Sequence, residues 1–332
     1  TGQGNITTVG QFNAKNENPL TPPVKTAKVG NVDVNGKTVN VGDTVDFTVS
    51  AAVPASADNY DVYPFTITDT ASRGLQVAAT STFKVQVDGT NVDDSLYTVS
   101  QTGNAQSGTT TTITFTNAKS LKGKTIVVSY TGVVTKDALT DLGGSVNNKA
   151  MITTNGGASG EGTTESKTYG FQFKKIGVGD DENALAGAQF VVKKKDGKFL
   201  KQDAESKAWS SVDDQTNATV FTSGADGLVQ FKGLAAGDYT VVETNAPNGY
   251  AQNFKVTFDV SIAENGTVTF TQDALKQVTL PTGDQIATVK NVKSITQLPL
   301  TGAAGTTLFI VVALLLAGAG VTVVVKSRQR MH

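Results

Sequence analysis

The chain has 332 residues, a formal net charge of -1 and no cysteine, and its single histidine is the last residue. Disulfides, thiolate metal sites, cysteine nucleophiles and histidine general bases are thereby excluded, and the lack of a dense Lys/Arg stretch ahead of the C-terminal tail excludes nucleic acid as a partner. Apolar residues make up 38% and charged residues 17%, beside 34 glycines and frequent Thr, Val, Asn and Ser, so the expectation is an all-β chain with two domain-sized cores and neither cofactor nor metal.

Residues 1–23 are polar, end in Pro19 and Pro22-Pro23, and read as an N-terminal arm or linker. From 24 to 156 strand alternation recurs, as in "TVDFTVS", "TFKVQV" and "TIVVSYT", with Gly, Asn and Asp between the runs. That pattern predicts a first β-sandwich. "NGGASGEGTTESK", Asn155 to Lys167, lacks apolar periodicity and reads as a boundary, with a linker at 157–167. A second set of strands over 168–295, including "AGAQFVVKKKDGKFL", "GLVQFKGL", "DYTVVET" and "FKVTFDV", predicts a second, Ig-like sandwich.

Polar residues stand in the inward phase of several strands. In "YGFQFKKIG", Lys175 shares the parity of Phe171 and Phe173, whereas Lys174 goes with Gln172 to the outer face. Glu243 follows Tyr239 and Val241, and Asn291 follows Ala287 and Val289. The first domain repeats the pattern, with Lys25 in phase with Ala27 and Val29, Asp69 with Phe65 and Ile67, and Asn148 with Ala150 and Ile152. A lone inward carboxylate is costly, so one such residue reads as a strand-edge group kept wet, but an inward Lys, acid and Asn in each domain asks for another reason.

The chain closes on Leu298-Pro299-Leu300-Thr301-Gly302, an apolar run over 308–325 and a basic tail over 326–332. The run is just long enough to cross a hydrocarbon core as a single C-terminal hydrophobic helix, and the tail behind it follows the positive-inside bias. Everything before it then lies outside the cell. The chain opens at Thr1 without a charged-then-apolar leader, as expected of a processed end or a fragment, so export is inferred from the C-terminal end.

The ordered combination over 296–332 resembles the cell-wall sorting signal of Gram-positive surface proteins. That resemblance implies a sortase as partner, cleavage between Thr301 and Gly302, and transfer of the Thr301 carbonyl to an amine of peptidoglycan or of another pilin subunit. The membrane stage is then temporary, and the product is extracellular and covalently anchored to the wall. Pro299 keeps the pentapeptide extended, in a form that an enzyme groove accepts.

"FQFKKIG...ALAGAQF", "YTVVETNAPNGY" and "TVKN" look like a Cna B-type domain, which implies an isopeptide bond between Lys175 and Asn291 assisted by Glu243. "VGDTVDFTV...FTITDTASRGL...NNKAMITTN" is similar to the fimbrial isopeptide-forming domain family, which implies Lys25, Asn148 and the acid Asp69, with Lys28 and Asn147 as open alternatives. Burial favours the neutral forms of amine and carboxyl that such a reaction needs.

The resemblances imply a pilin-like or stalk subunit supporting adhesion, not an enzyme. The alternative is a monomeric wall-anchored adhesin for a host or extracellular-matrix ligand. A shaft pilin is expected to offer a Lys in a Tyr-Pro-Lys type motif, and "VYPF", Val62 to Phe65, lacks it and falls within a predicted strand. Trp209 reads as core packing, and "GVGDDENALAG" as a turn rather than a calcium loop.

Overall fold

A computed structural model describes residues 19–178, 183–273, 275–281 and 285–298. Among these the regular structure is β-strand with short 3-10 turns. The sorting residues Pro299, Leu300, Thr301 and Gly302, the expected hydrophobic helix over 308–325 and the tail over 326–332 lie outside the described residues, as does most of the expected arm. Among the described residues no helix is long and apolar enough to cross a membrane.

The first sandwich packs two sheets face to face. One carries Val24–Val29, Thr44–Ala52, Thr125–Val134 and Lys84–Val87 as neighbours in that order. The facing sheet runs Gly162–Gly177, Gly144–Thr154, Phe65–Ala71, Gly108–Phe115 and Tyr97–Asn104. Strict alternation places Phe47, Val49, Phe65, Ile67, Ile126 and Val128 in the core between them. In the second sandwich Gly162–Gly177 lies between Leu228–Leu234, antiparallel, and Ala287–Asn291, parallel. The sheet opposite is built on Gln189–Lys194, Gly237–Asn245 and Thr257–Ile262, and Phe171, Phe173, Phe190, Phe231 and Phe258 fill the space between.

The strand Gly162–Gly177 corrects the sequence reading at 157–167. Instead of a linker, Gly157–Ala158 is a short strand and residues 162–177 form one unbroken strand shared by both sandwiches. Its inward residues are Thr164, Ser166 and Thr168 on the first-domain side and Phe171, Phe173 and Lys175 on the second. The phase changes at a bulge between Tyr169 and Gly170, the usual device for re-aiming a strand's faces. Gly170 is required there, because a Cβ would stand 2.2 Å from the Phe231 carbonyl oxygen. The predicted strand over Val62 to Phe65 is likewise corrected: the strand begins at Phe65, and Val62 to Pro64 precede it.

The two sandwiches also share a joint that the sequence does not announce. Val41, from the first-domain part of the chain, is buried in the core of the second. Its N–H donates to the Gly233 carbonyl at 2.9 Å and its carbonyl accepts from the Trp209 N–H at 2.8 Å. Asn40 and Thr38 side chains accept from the backbone N–H groups of Ala235 and Ala236, each at 2.9 Å. Trp209 belongs to this core: its indole N–H donates to the Lys232 carbonyl at 2.8 Å and its ring stacks with Phe221.

Candidate functional site

Each sandwich buries a cluster of one Lys, one Asn and one carboxyl group, joined in the first through the Tyr130 hydroxyl. In the second, Lys175 and Asn291 stand on adjacent parallel strands with Lys175 opposite Val289 and Gly177 opposite Asn291, so the two side chains are diagonal neighbours on one face. Glu243 comes from the facing sheet, in the same phase as Tyr239 and Val241. Its Oε2 accepts from the Val256 N–H at 2.8 Å and from Asn291 Nδ2 at 3.1 Å, while Oε1 stands 3.5 Å from Lys175 Nζ. Lys175 and Asn291 are both 0% exposed.

In the first sandwich Lys25 comes from one sheet, and Asp69 and Asn148 from neighbouring strands of the other. Lys25 Nζ pairs with Asp69 Oδ2 and donates to the Tyr130 hydroxyl at 2.7 Å. Asn148 Nδ2 donates to the same hydroxyl at 2.8 Å. The alternatives left open in the sequence separate by burial: Lys28 and Asn147 are exposed, whereas Lys25, Asp69 and Asn148 are buried. Lys174 is exposed as its parity requires.

Tyr130 is the member that the strand pattern does not single out. It shares the phase of Ile126 and Val128 and so reads as an ordinary core aromatic. The available signal is its hydroxyl, since a buried tyrosine needs a polar partner at its tip.

The electrostatics follow from burial. Loss of water lowers the Lys175 amine from 10.5 to about 8, against the opposing pull of Glu243. Desolvation also lowers Lys25, with Asp69 opposing, and raises the Tyr130 phenol well above its ordinary value, with Asp69 adding to the effect. Among the described residues, six buried side-chain N or O atoms lack a hydrogen-bond partner, and five belong to these clusters: Asp69 Oδ1, Asn148 Oδ1, Lys175 Nζ, Glu243 Oε1 and Asn291 Oδ1. Buried groups left unpaired are costly to folding, so their concentration in these two clusters asks for an explanation. An amine tending to neutrality, beside an amide whose carbonyl oxygen is free and a carboxyl group able to move protons, can exchange one amide for another. Among the described residues no group of acidic or histidine side chains could hold a metal ion.

Tandem sandwiches ahead of a Leu-Pro-x-Thr-Gly terminus define a Gram-positive surface protein. Comparison with known proteins agrees: residues 290–330 match the LPXTG cell wall anchor motif, and residues 169–275 match the SpaA prealbumin-like fold domain. The chain is therefore extracellular and covalently attached to the Gram-positive cell wall. No curated protein sequence matches it.

Among solved structures it is similar to the pilus 2b backbone protein of group B streptococcus, at 27% identity and a TM-score of 0.56 over 82% of this chain and 98% of that one. The 35 kDa C-terminal fragment of the major pilin GBS80 of Streptococcus agalactiae shares the fold at 20% identity and a TM-score of 0.57, over 81% and 99% of the two chains. So does the Corynebacterium diphtheriae major pilin SpaA, at 17% identity and a TM-score of 0.55, over 82% of this chain and 69% of that one.

Proposed function

We propose that the chain is a sortase-anchored structural subunit of a pilus or stalk, with each sandwich closed by an amide bond that it forms itself, Lys175 to Asn291 and Lys25 to Asn148. The observation that carries this reading is the burial of a Lys, an Asn and a carboxyl group together in both domains, with Lys175 Nζ and the side-chain carbonyl oxygens of Asn148 and Asn291 left without hydrogen-bond partners. On this reading the first domain is 24–156 completed by residues 162–168, and the second is 168–295. The chain's chemistry is a single turnover on itself rather than catalysis on a substrate.

In the second domain the neutral Lys175 Nζ attacks Asn291 Cγ, forming the new C–N bond. Glu243, with Oε1 facing Nζ and Oε2 facing Nδ2, receives the proton shed by Nζ and supplies one to Nδ2. The C–Nδ2 bond then breaks and ammonia leaves. The second bond ties its domain's first strand to its last and the first ties Val24–Val29 to Gly144–Thr154, and by the loop-closure estimate used for disulfides a loop on the order of 100 residues contributes about 4 to 5 kcal/mol.

The amine that accepts Thr301 is on peptidoglycan or on a lysine of a neighbouring copy. Immunoblots of wall fractions test the polymer: a ladder of SDS-resistant species that collapses when the sortase is deleted is expected. A single wall-linked species in cells with the sortase intact would overturn the pilus assignment.

A further inference from the structure

The two clusters differ in how the carboxyl group meets the asparagine. Glu243 reaches Lys175 with one oxygen and Asn291 with the other. Asp69 is one methylene shorter: its Oδ2 is engaged with Lys25 and its Oδ1 has no partner, so it makes no hydrogen bond to Asn148. The Tyr130 hydroxyl fills that gap, 2.7 Å from Lys25 Nζ and 2.8 Å from Asn148 Nδ2. It is held there by its ring, which stacks on Phe83 at 4.5 Å and 6° and on Phe47 at 5.4 Å and 23°.

We propose that Tyr130 is a catalytic proton relay for closing the first-domain amide, carrying the proton shed by Lys25 Nζ to the departing Asn148 Nδ2. This rests on the amide-bond reading given above. When Nζ attacks Asn148 Cγ, the new C–N bond leaves a surplus proton on Nζ, and Nδ2 loses its amide resonance and gains a basic lone pair. The phenol oxygen takes the proton from Nζ as its own proton passes to Nδ2. The C–Nδ2 bond breaks, ammonia leaves, and Tyr130 ends as it began. A phenol that resists ionisation fits this role, since the relay never leaves a phenolate. Asp69 keeps its place beside Lys25 and stabilises the positive charge that develops on the amine.

The test is the intact mass and cross-link map of the full chain in detergent, followed over time after synthesis. The unaltered chain should lose two ammonias, one mapping to Lys25 and Asn148. Retention of the first-domain ammonia in the unaltered chain would overturn the amide-bond reading of that domain and the relay with it. Tyr130→Phe keeps the ring stack and should close the second-domain bond fully while slowing the first by a hundredfold or more, as for loss of a proton-transfer group (about 10²–10⁴). First-domain closure in Tyr130→Phe at the unaltered rate would overturn the relay alone. Tyr130→His, whose ring can also pass a proton, should recover part of the bond even if Tyr130→Phe folds poorly. A Tyr130→His chain that near-UV circular dichroism shows to be folded, yet whose first-domain bond closes no faster than in a folded Tyr130→Phe, would overturn proton relay as the role of the hydroxyl.

Discussion

Lys175 and Asn291 occupy adjacent parallel strands one alternation apart, so both side chains enter the same water-free space under Glu243. Parallel pairing of a domain's first and last strands also means that the chain enters at one end of the sandwich and leaves at the other. A bond between these two residues ties entry to exit.

Asn291→Ala should therefore leave the full chain short of its own sequence mass by one ammonia instead of two, and make the second domain less stable by about 4 to 5 kcal/mol. Mass spectrometry and guanidinium denaturation read the two effects. Equal stability of variant and parent would show that the bond, if present, carries no load in the fold.

In Asn291→Ala the uncoupled Lys175 remains buried, and its depressed pKa makes stability depend on pH. Between about 8 and 10.5 the folded chain binds fewer protons than the unfolded one, so stability rises with pH across that window and the penalty is complete below 8. The rise should amount to roughly 3 kcal/mol. Urea midpoints of the second-domain transition at pH 7.5 and 10 measure it. A flat profile would mean that Lys175 is held charged in the fold.

Val41→Ala should destabilise the second sandwich by about 2 kcal/mol, although Val41 belongs to the chain of the first. Hydrogen exchange resolves the two domains, and a loss of protection confined to the first would contradict the joint described above.

Thr301→Ala should abolish wall attachment while leaving both internal masses unchanged, since the sorting pentapeptide is remote in sequence from Lys25, Asn148 and Lys175. Cell fractionation after muralytic digestion reads the anchoring. Undiminished wall-linked protein would remove Thr301 from the attachment chemistry.

Strand phase made much of the site legible: period-two alternation alone turns Lys25, Asp69, Asn148, Lys175, Glu243 and Asn291 inward, each among apolar neighbours. The shared strand was not legible, because its inward residues at 164, 166 and 168 are hydroxylic. Ser166 donates to the Val34 carbonyl at 2.8 Å, Thr168 to that of Leu234 at 3.3 Å and Thr164 to that of Asn148 at 3.4 Å. Hydrophobic periodicity is blind to a strand that buries itself through such bonds. Val41 was hidden for the opposite reason: an isolated valine in a turn carries no period, and only the tertiary joint gives it a core. Tyr130 carried the right phase but no sign of what its hydroxyl would touch.

The unbroken strand from Gly162 to Gly177 bears on how the protein can be cut into pieces. A fragment ending at residue 156 would strip the Gly144–Thr154 strand of its neighbour over 162–168, opening the flank of the sheet that holds Asn148. A fragment beginning at 168 would keep Lys175 but lose the segment around Val41 that plugs its core. Each cut thus removes part of the other half's support, and the unit that keeps every strand neighbour and core contact is the pair.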